Sequence, residues 1–238
     1  MVRSVVVIIW TVVSTIPFAW GAVLASVFSP SGKGCHTVAR MWARLILWVS
    51  GVKVHVRGLE RLDRDRHYIF MSNHQSMFDI PVVMAALPYH FRWLAKAELF
   101  RIPLFGHGMQ RCQYISIDRS NRKAAFESLK SAAAMIQQGA SVLIFPEGTR
   151  SLSGSIQPFN TGGFILAVDS VATIVPMVLQ GTREIMAKKR LIITPGEVTI
   201  FIYDPIDCRD YSRKNKDKLI ERVRAVISKG FVSPNGAA

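Results

Sequence analysis

Cysteine is scarce in this chain of 238 residues: only Cys35, Cys112 and Cys208, far apart and with no Cys-x-x-Cys pair. So few, odd in number and so spaced, they argue against a disulfide framework or a structural zinc site, which suits a reducing compartment. Acidic residues are also few. Sixteen Asp and Glu against thirty Lys and Arg leave a net charge of +14, which favours polyanionic partners: nucleic acid, anionic headgroups or phosphorylated substrates. The arrangement of basic and aromatic residues that reads bases is missing, so nucleic acid is set aside. Also missing are His-Glu-x-x-His, Gly-x-Ser-x-Gly and a Walker loop, which leaves no sign of a bound metal, of a serine hydrolase of that type or of a P-loop NTPase.

What is abundant is apolar. Half of the residues are hydrophobic and 19% are charged, with a mean hydropathy of +0.24, so a disordered chain is excluded and apolar surface is left for lipid. From Ser4 to Gly32 there is no ionisable side chain, and residues 5–28 are almost wholly apolar. That suffices to cross a bilayer core, which needs about 20 helical residues, although Pro17 and Gly21 would kink or loosen the helix. A cleaved signal peptide is the rival reading, with Arg3 before the run and Val23-Leu24-Ala25 as a cleavage site.

Residues 37–50 follow, with Val38, Met41, Leu45, Trp48 and Val49 on one helical face and Arg40 and Arg44 on the other. This is the pattern of an interfacial helix or of a core helix with a basic stripe. Its place after the apolar run favours the membrane. Residues 1–50 are therefore expected to be a membrane-anchoring helical segment, separable from the chemistry, and 51–238 a folded body.

Beyond Gly51, β-rich runs at 52–56, 68–72, 114–117, 141–146, 172–179 and 198–203 alternate with helical spacing at 123–138 and 214–228. This predicts an α/β fold, a mostly parallel or mixed sheet flanked by helices.

Chemistry concentrates in two turns. The first, Ser72-Asn73-His74-Gln75-Ser76-Met77-Phe78-Asp79, follows an apolar strand. Five residues are about 500° around a helix, so His74 and Asp79 cannot share a helix face. His74 is expected in the strand-to-helix turn, with the Asp79 carboxylate fixing its tautomer for deprotonation of a hydroxyl. Alone, the pair also fits a capping Asp near an ordinary His. The second turn, Phe145-Pro146-Glu147-Gly148-Thr149-Arg150-Ser151, ends another strand, where functional residues of open α/β sheets gather. Arg150 offers a planar fork for phosphate, and Glu147 could orient that fork or a substrate hydroxyl. Alone, it reads equally as a surface turn.

Together, Asn73-His74-Gln75-Ser76 with Asp79 and Phe145-Pro146-Glu147-Gly148-Thr149-Arg150 resemble the glycerolipid acyltransferase family, in particular its bacterial 1-acylglycerol-3-phosphate acyltransferases. Ile117-Asp118-Arg119 is similar to the family's phosphate-binding arginine block, and Ile174-Val175-Pro176-Met177-Val178 to its late apolar-proline block. Lys96-Ala97-Glu98-Leu99 with Pro103 and Gly106 is similar to the stretch between the first two blocks. The chain departs from the family at Cys112-Gln113-Tyr114-Ile115, which lacks the usual glycine, and at Phe159-Asn160-Thr161-Gly162, where Asn160 replaces a lysine.

The resemblance implies transfer of an acyl group from acyl-CoA or acyl-carrier protein to the sn-2 hydroxyl of lysophosphatidic acid, making phosphatidic acid. His74 and Asp79 would be catalytic. Arg119, Glu147, Gly148, Thr149, Arg150 and Lys96 would bind substrate, and the co-substrate thioester would leave no other cofactor to supply. It implies an enzyme at the cytoplasmic face of an anionic phospholipid membrane. Rival readings are a sister enzyme acylating another lysophospholipid or glycerol 3-phosphate, and a catalytically silent lipid-binding protein.

Overall fold

The computed structural model describes residues 2–118 and 120–232; Arg119 lies outside them. Two helices come first, α1 (Val2–Phe28) and α2 (Lys33–Ser50). α1 runs through Pro17, and just before it Thr15 Oγ1 and Ser14 Oγ donate back to the Thr11 carbonyl at 2.7 and 3.2 Å. The hydroxyls are thus satisfied inside the helix, as a low-dielectric setting requires. α1 is long and apolar enough to cross a membrane. One face, including Ser4, Val7, Ser14, Ala19 and Ala22, is buried, while Val5, Ile9, Val12, Val13, Ile16, Trp20 and Leu24 are exposed.

The remaining elements are β1 (Val52–Arg57), β2 (Tyr68–Ser72), α3 (Asp79–Ala86), β3 (Phe91–Lys96), α4 (Phe105–Arg111), β4 (Ile115–Ile117), α5 (Arg122–Gln137) and β5 (Ser141–Ile144). They continue as α6 (Gly162–Asp169), β6 (Thr173–Gln180), α7 (Thr182–Ile185), β7 (Gly196–Ile202), β8 (Ile206–Asp207) and α8 (Lys216–Gly230). The strands form one mixed sheet in the order β1-β7-β6-β2-β5-β3-β4, with β8 also on β6. β7 and β8 run antiparallel to β6 and the other pairings are parallel. The expected α/β fold with a mixed, mostly parallel sheet is what forms. Pro176 sits inside β6 because it falls between the residues facing β8 (Thr173, Ile174) and those facing β7 (Met177 to Gln180), where the antiparallel partner changes.

Alternate residues of each strand feed two cores. Phe70 of β2, Val175 and Met177 of β6, Leu143 of β5 and Phe91 of β3 pack under α3 and the helical hairpin, with Val7, Ala43, Ile46 and Leu47 in the same cluster. Ile69, Met71, Val142, Ile144 and Ile174 meet α5, α6 and α8 on the other face. The period of two is the signature of strands covered on both sides.

Three details differ from the sequence reading. The sequence reading has no strand at β3: Arg92, its second residue, breaks the apolar pattern, and its guanidinium donates to the Gln113 side chain. Arg40 does not face outward. Its Nη2 donates to the Leu87 and Tyr89 carbonyls at 2.9 and 2.8 Å, tying α2 to the end of α3. Met41, Leu45 and Trp48 are exposed as expected, with Arg44 among them. Finally, Cys35 and Cys112 form a disulfide across a sequence separation of 77, joining α2 to the end of α4, with Cα atoms 5.2 Å apart. The reading against a disulfide framework in a reducing compartment gives no hint of this bond, because the helical hairpin folds back onto α4, a contact between distant segments that spacing cannot show.

Candidate active site

β2 ends at Ser72, and Asn73 then extends its pairing with a side chain. The Asn73 amide donates to the Leu179 carbonyl at 2.9 Å and accepts from the Leu179 N–H at 2.8 Å, so one side chain stands in for the next rung of the β2–β6 ladder. That anchor sets where His74 begins. The turn that follows is organised by a single carboxylate oxygen. Asp79 Oδ2 accepts from the N–H groups of Gln75 and Ser76 at 2.7 and 2.9 Å and lies 2.7 Å from His74 Nδ1. Asp79 is fully buried at the start of α3, while the His74 side chain keeps 14% of its surface exposed. The expected His74–Asp79 pair is therefore formed, with Nδ1 committed to Asp79.

The second turn holds His74 from the other side. The ring stacks on Phe145, centroids 4.0 Å apart and planes 6° from parallel. Glu147 Oε1 accepts the His74 N–H at 2.6 Å, and the His74 carbonyl accepts the Ser151 N–H at 2.9 Å. Glu147 Oε2 accepts from the Gln157 N–H at 2.8 Å. Glu147 is buried, and burial pushes its carboxyl up to about 7 against the opposing pull of the two N–H donors, with the charge of Asp79 adding to the rise. Glu147 thus does not orient the Arg150 fork, as the sequence suggested; it ties one turn to the other. Gly148 makes the turn possible with φ 72°, its N–H donating to the Phe145 carbonyl at 3.0 Å. Asn160 clasps the same turn, its amide donating to the carbonyls of Pro146 and Glu147 at 3.1 Å each.

A cavity of about 390 Å³ opens beside the dyad. His74, Lys96, Gly148, Thr149 and Arg150 share its wall with Phe18, Ala19 and Ala22 of α1, Trp42 of α2, Ile80 and Met84 of α3, Trp93 of β3 and Met109 of α4. The half-buried Arg150 forms no ion pair among the described residues. Lys96 is paired with Glu98 at 2.8 Å, both well exposed. Sequence reasoning missed Lys188, whose Nζ donates to the Arg150 carbonyl at 2.6 Å and to Thr149 Oγ1 at 3.2 Å. The run Lys188-Lys189-Arg190 was its only signal.

A histidine–aspartate pair on a strand-to-helix turn, beside an apolar cavity and an arginine, is the central feature of this α/β protein. Residues 53–180 match the Acyltransferase family, and the chain belongs to it. It is 34% identical to a 1-acyl-sn-glycerol-3-phosphate acyltransferase of Cocos nucifera over 77% of this chain and 59% of that protein. With the human 1-acyl-sn-glycerol-3-phosphate acyltransferase alpha the identity is 31%, over 79% of this chain and 66% of that one. The chain thus spans about three fifths of the first of these relatives. The crystal structure of the 1-acyl-sn-glycerophosphate (LPA) acyltransferase of Thermotoga maritima has the same fold, with a TM-score of 0.82, 24% identity, and coverage of 96% of this chain and 93% of that one.

Proposed function

We propose that this protein acylates the sn-2 hydroxyl of lysophosphatidic acid from an acyl thioester, acyl-CoA or acyl-carrier protein, giving phosphatidic acid. The reading is carried by one observation: His74, held by Asp79, shares a cavity with Arg150 and a long apolar wall. His74 Nε2 takes the hydroxyl proton as the oxygen attacks the thioester carbonyl, and the new imidazolium is stabilised by Asp79. The tetrahedral intermediate collapses with loss of the thiolate, which receives the proton from His74. Arg150 binds the acceptor phosphate, aided by Arg119 and Lys96, and the backbone at Gly148 and Thr149 shapes that subsite. The apolar wall takes an acyl chain. Names borne by the curated relatives support the same acceptor.

The exposed apolar faces of α1 and α2 support a membrane position, in which residues 1–50 hold the cavity mouth at the bilayer and the body meets the cytoplasm. An acyl chain stabilised by about 0.8 kcal/mol per buried CH₂ is then never drawn fully into water. The test is to offer purified protein a panel of lysophospholipids and glycerol 3-phosphate with acyl-CoA and acyl-carrier protein, and to identify products by mass. Phosphatidic acid as the dominant product is expected. Preferential acylation of another acceptor, or no transfer at all, would overturn the assignment.

A further inference from the structure

Residues 186–195, between α7 and β7, touch both catalytic turns and the start of α1. Ser76 Oγ donates to the Met186 carbonyl at 2.7 Å, and Ser76 bridges Ala187 in antiparallel fashion. Lys188 bonds the Thr149–Arg150 stretch. At the other end the Ile193 N–H donates to Ser4 Oγ at 3.0 Å, and Pro195 lies beside Gly51 and Arg3.

The tip between these anchors is exposed and two-toned. Lys189 has φ 66°, and the Arg190 N–H closes a turn on the Ala187 carbonyl at 3.1 Å. Lys189 and Arg190 are exposed and form no ion pair among the described residues. Leu191 and Ile192, which follow at once, are 71% and 57% exposed. A lone exposed aliphatic is ordinary, but two in succession leave a patch of apolar surface in water that burial would stabilise. Here they lie beside the first turns of α1, whose Val2, Val5 and Val6 are exposed as well. The patch therefore continues the apolar face of α1 and is flanked by two free cations, a combination matched by acyl chains beneath anionic headgroups.

We infer that this strap is a further membrane contact, with Leu191 and Ile192 seated among the acyl chains of an anionic phospholipid surface and Lys189 and Arg190 on its phosphates. The inference rests on the membrane reading above and extends it to a part of the body remote from α1 in sequence. Because the strap also bonds Ser76, Thr149 and Arg150, seating it fixes both catalytic turns relative to the lipid.

The full chain carrying Leu191→Cys is labelled with an environment-sensitive fluorophore and mixed with vesicles of phosphatidylcholine and phosphatidylglycerol containing acyl-brominated lipid. Native cysteines do not compete, since Cys35 and Cys112 are bonded and Cys208 is buried. A label at Glu221→Cys on α8, across the sheet, is the control, and flotation of the vesicles reports binding. Quenching at 191 but not at 221 is expected. Reversing the tip's charge with Lys189→Glu and Arg190→Glu should lower the quenching at least about twofold, since each basic residue near an anionic surface contributes on the order of 1 kcal/mol. Protein that floats with the vesicles while the 191 label stays unquenched would overturn the strap and leave the membrane reading standing. Protein that fails to float would overturn both, and quenching indifferent to charge reversal would overturn the phosphate contact.

Discussion

Glu147 separates two accounts of the second turn. If its carboxylate positions His74, as the bonds from the His74 and Gln157 N–H groups indicate, replacing it should act on turnover rather than on acceptor affinity. Glu147→Gln keeps one acceptor oxygen and turns an NH₂ toward one of the two donors, so one bond to a charged acceptor is lost, about 1.5 to 3 kcal/mol of stability. Glu147→Leu loses both. A catalytic group displaced by about 1 Å can cost on the order of 10² in rate, so a fall in kcat of roughly tenfold for Gln and a hundredfold for Leu is expected. Acceptor KM should stay nearly constant.

Thermal unfolding in detergent adds a pH signature. The folded carboxyl titrates near 7 against 4.5 unfolded, so its proton-linked stabilisation is fully present below about 4.5 and lost as pH rises through 7. The wild-type protein should lose stability relative to Glu147→Gln across that window, by at most about 3 kcal/mol. A raised acceptor KM with unchanged kcat in Glu147→Gln would refute the positioning role and return Glu147 to the substrate.

Further outcomes follow from the same geometry. His74→Ala should lower turnover about 10² to 10⁴-fold while lysolipid binding persists, and Asp79→Asn should be nearly as harmful, both measured by steady-state acyl transfer. Arg150→Ala should raise acceptor KM and spare thioester KM, with Arg150→Lys recovering only part, because a point charge lacks the fork. Reducing the Cys35–Cys112 bond should lower thermal stability by up to about 4.5 kcal/mol, the loop-closure value for a separation of 77, detected as a Tm shift in reductant. His36 and His90, held near 3 and 4 chiefly by burial, are neutral when folded. Folding must then weaken as pH falls from about 6.5 toward 4, and Phe in place of His36 should flatten that slope in acid-unfolding curves.

The parts of this site legible in the sequence are those whose chemistry is local. His74 and Asp79 lie five residues apart, so turn geometry alone restricts their meeting, and the uncharged stretch of α1 is a matter of composition. The illegible parts depend on distant partners. Which way Glu147 turns is decided by the N–H of Gln157 and of His74, on two different segments. Asn160 reads as a lost positive charge until the fold shows it bonding the carbonyls of Pro146 and Glu147. Arg40 sits on a polar stripe suited to headgroups, yet two carbonyls at the end of α3 claim it. The α/β alternation is plain because β2, β5 and β6, buried along nearly their whole length, read as short continuous apolar runs between helical spacings, whereas β3 is masked by Arg92, whose guanidinium is bonded to Gln113.

In the proposed membrane setting the N-terminal hairpin would couple anchoring to chemistry. Its outward residues are mostly apolar and exposed, but its inward ones serve the body. Ala43, Ile46 and Leu47 complete the core beneath the sheet, and Phe18, Ala19, Ala22 and Trp42 wall the cavity beside His74. A helix presenting apolar residues on both sides cannot be stable facing water on either, so the hairpin needs the sheet on one side and, in the proposed setting, lipid on the other. The cavity is walled by these helices together with α3, β3 and α4. In the proposed setting an acyl chain leaving lipid for His74 would pass from one apolar medium to another along helices whose outward residues face the lipid and whose inward residues wall the cavity.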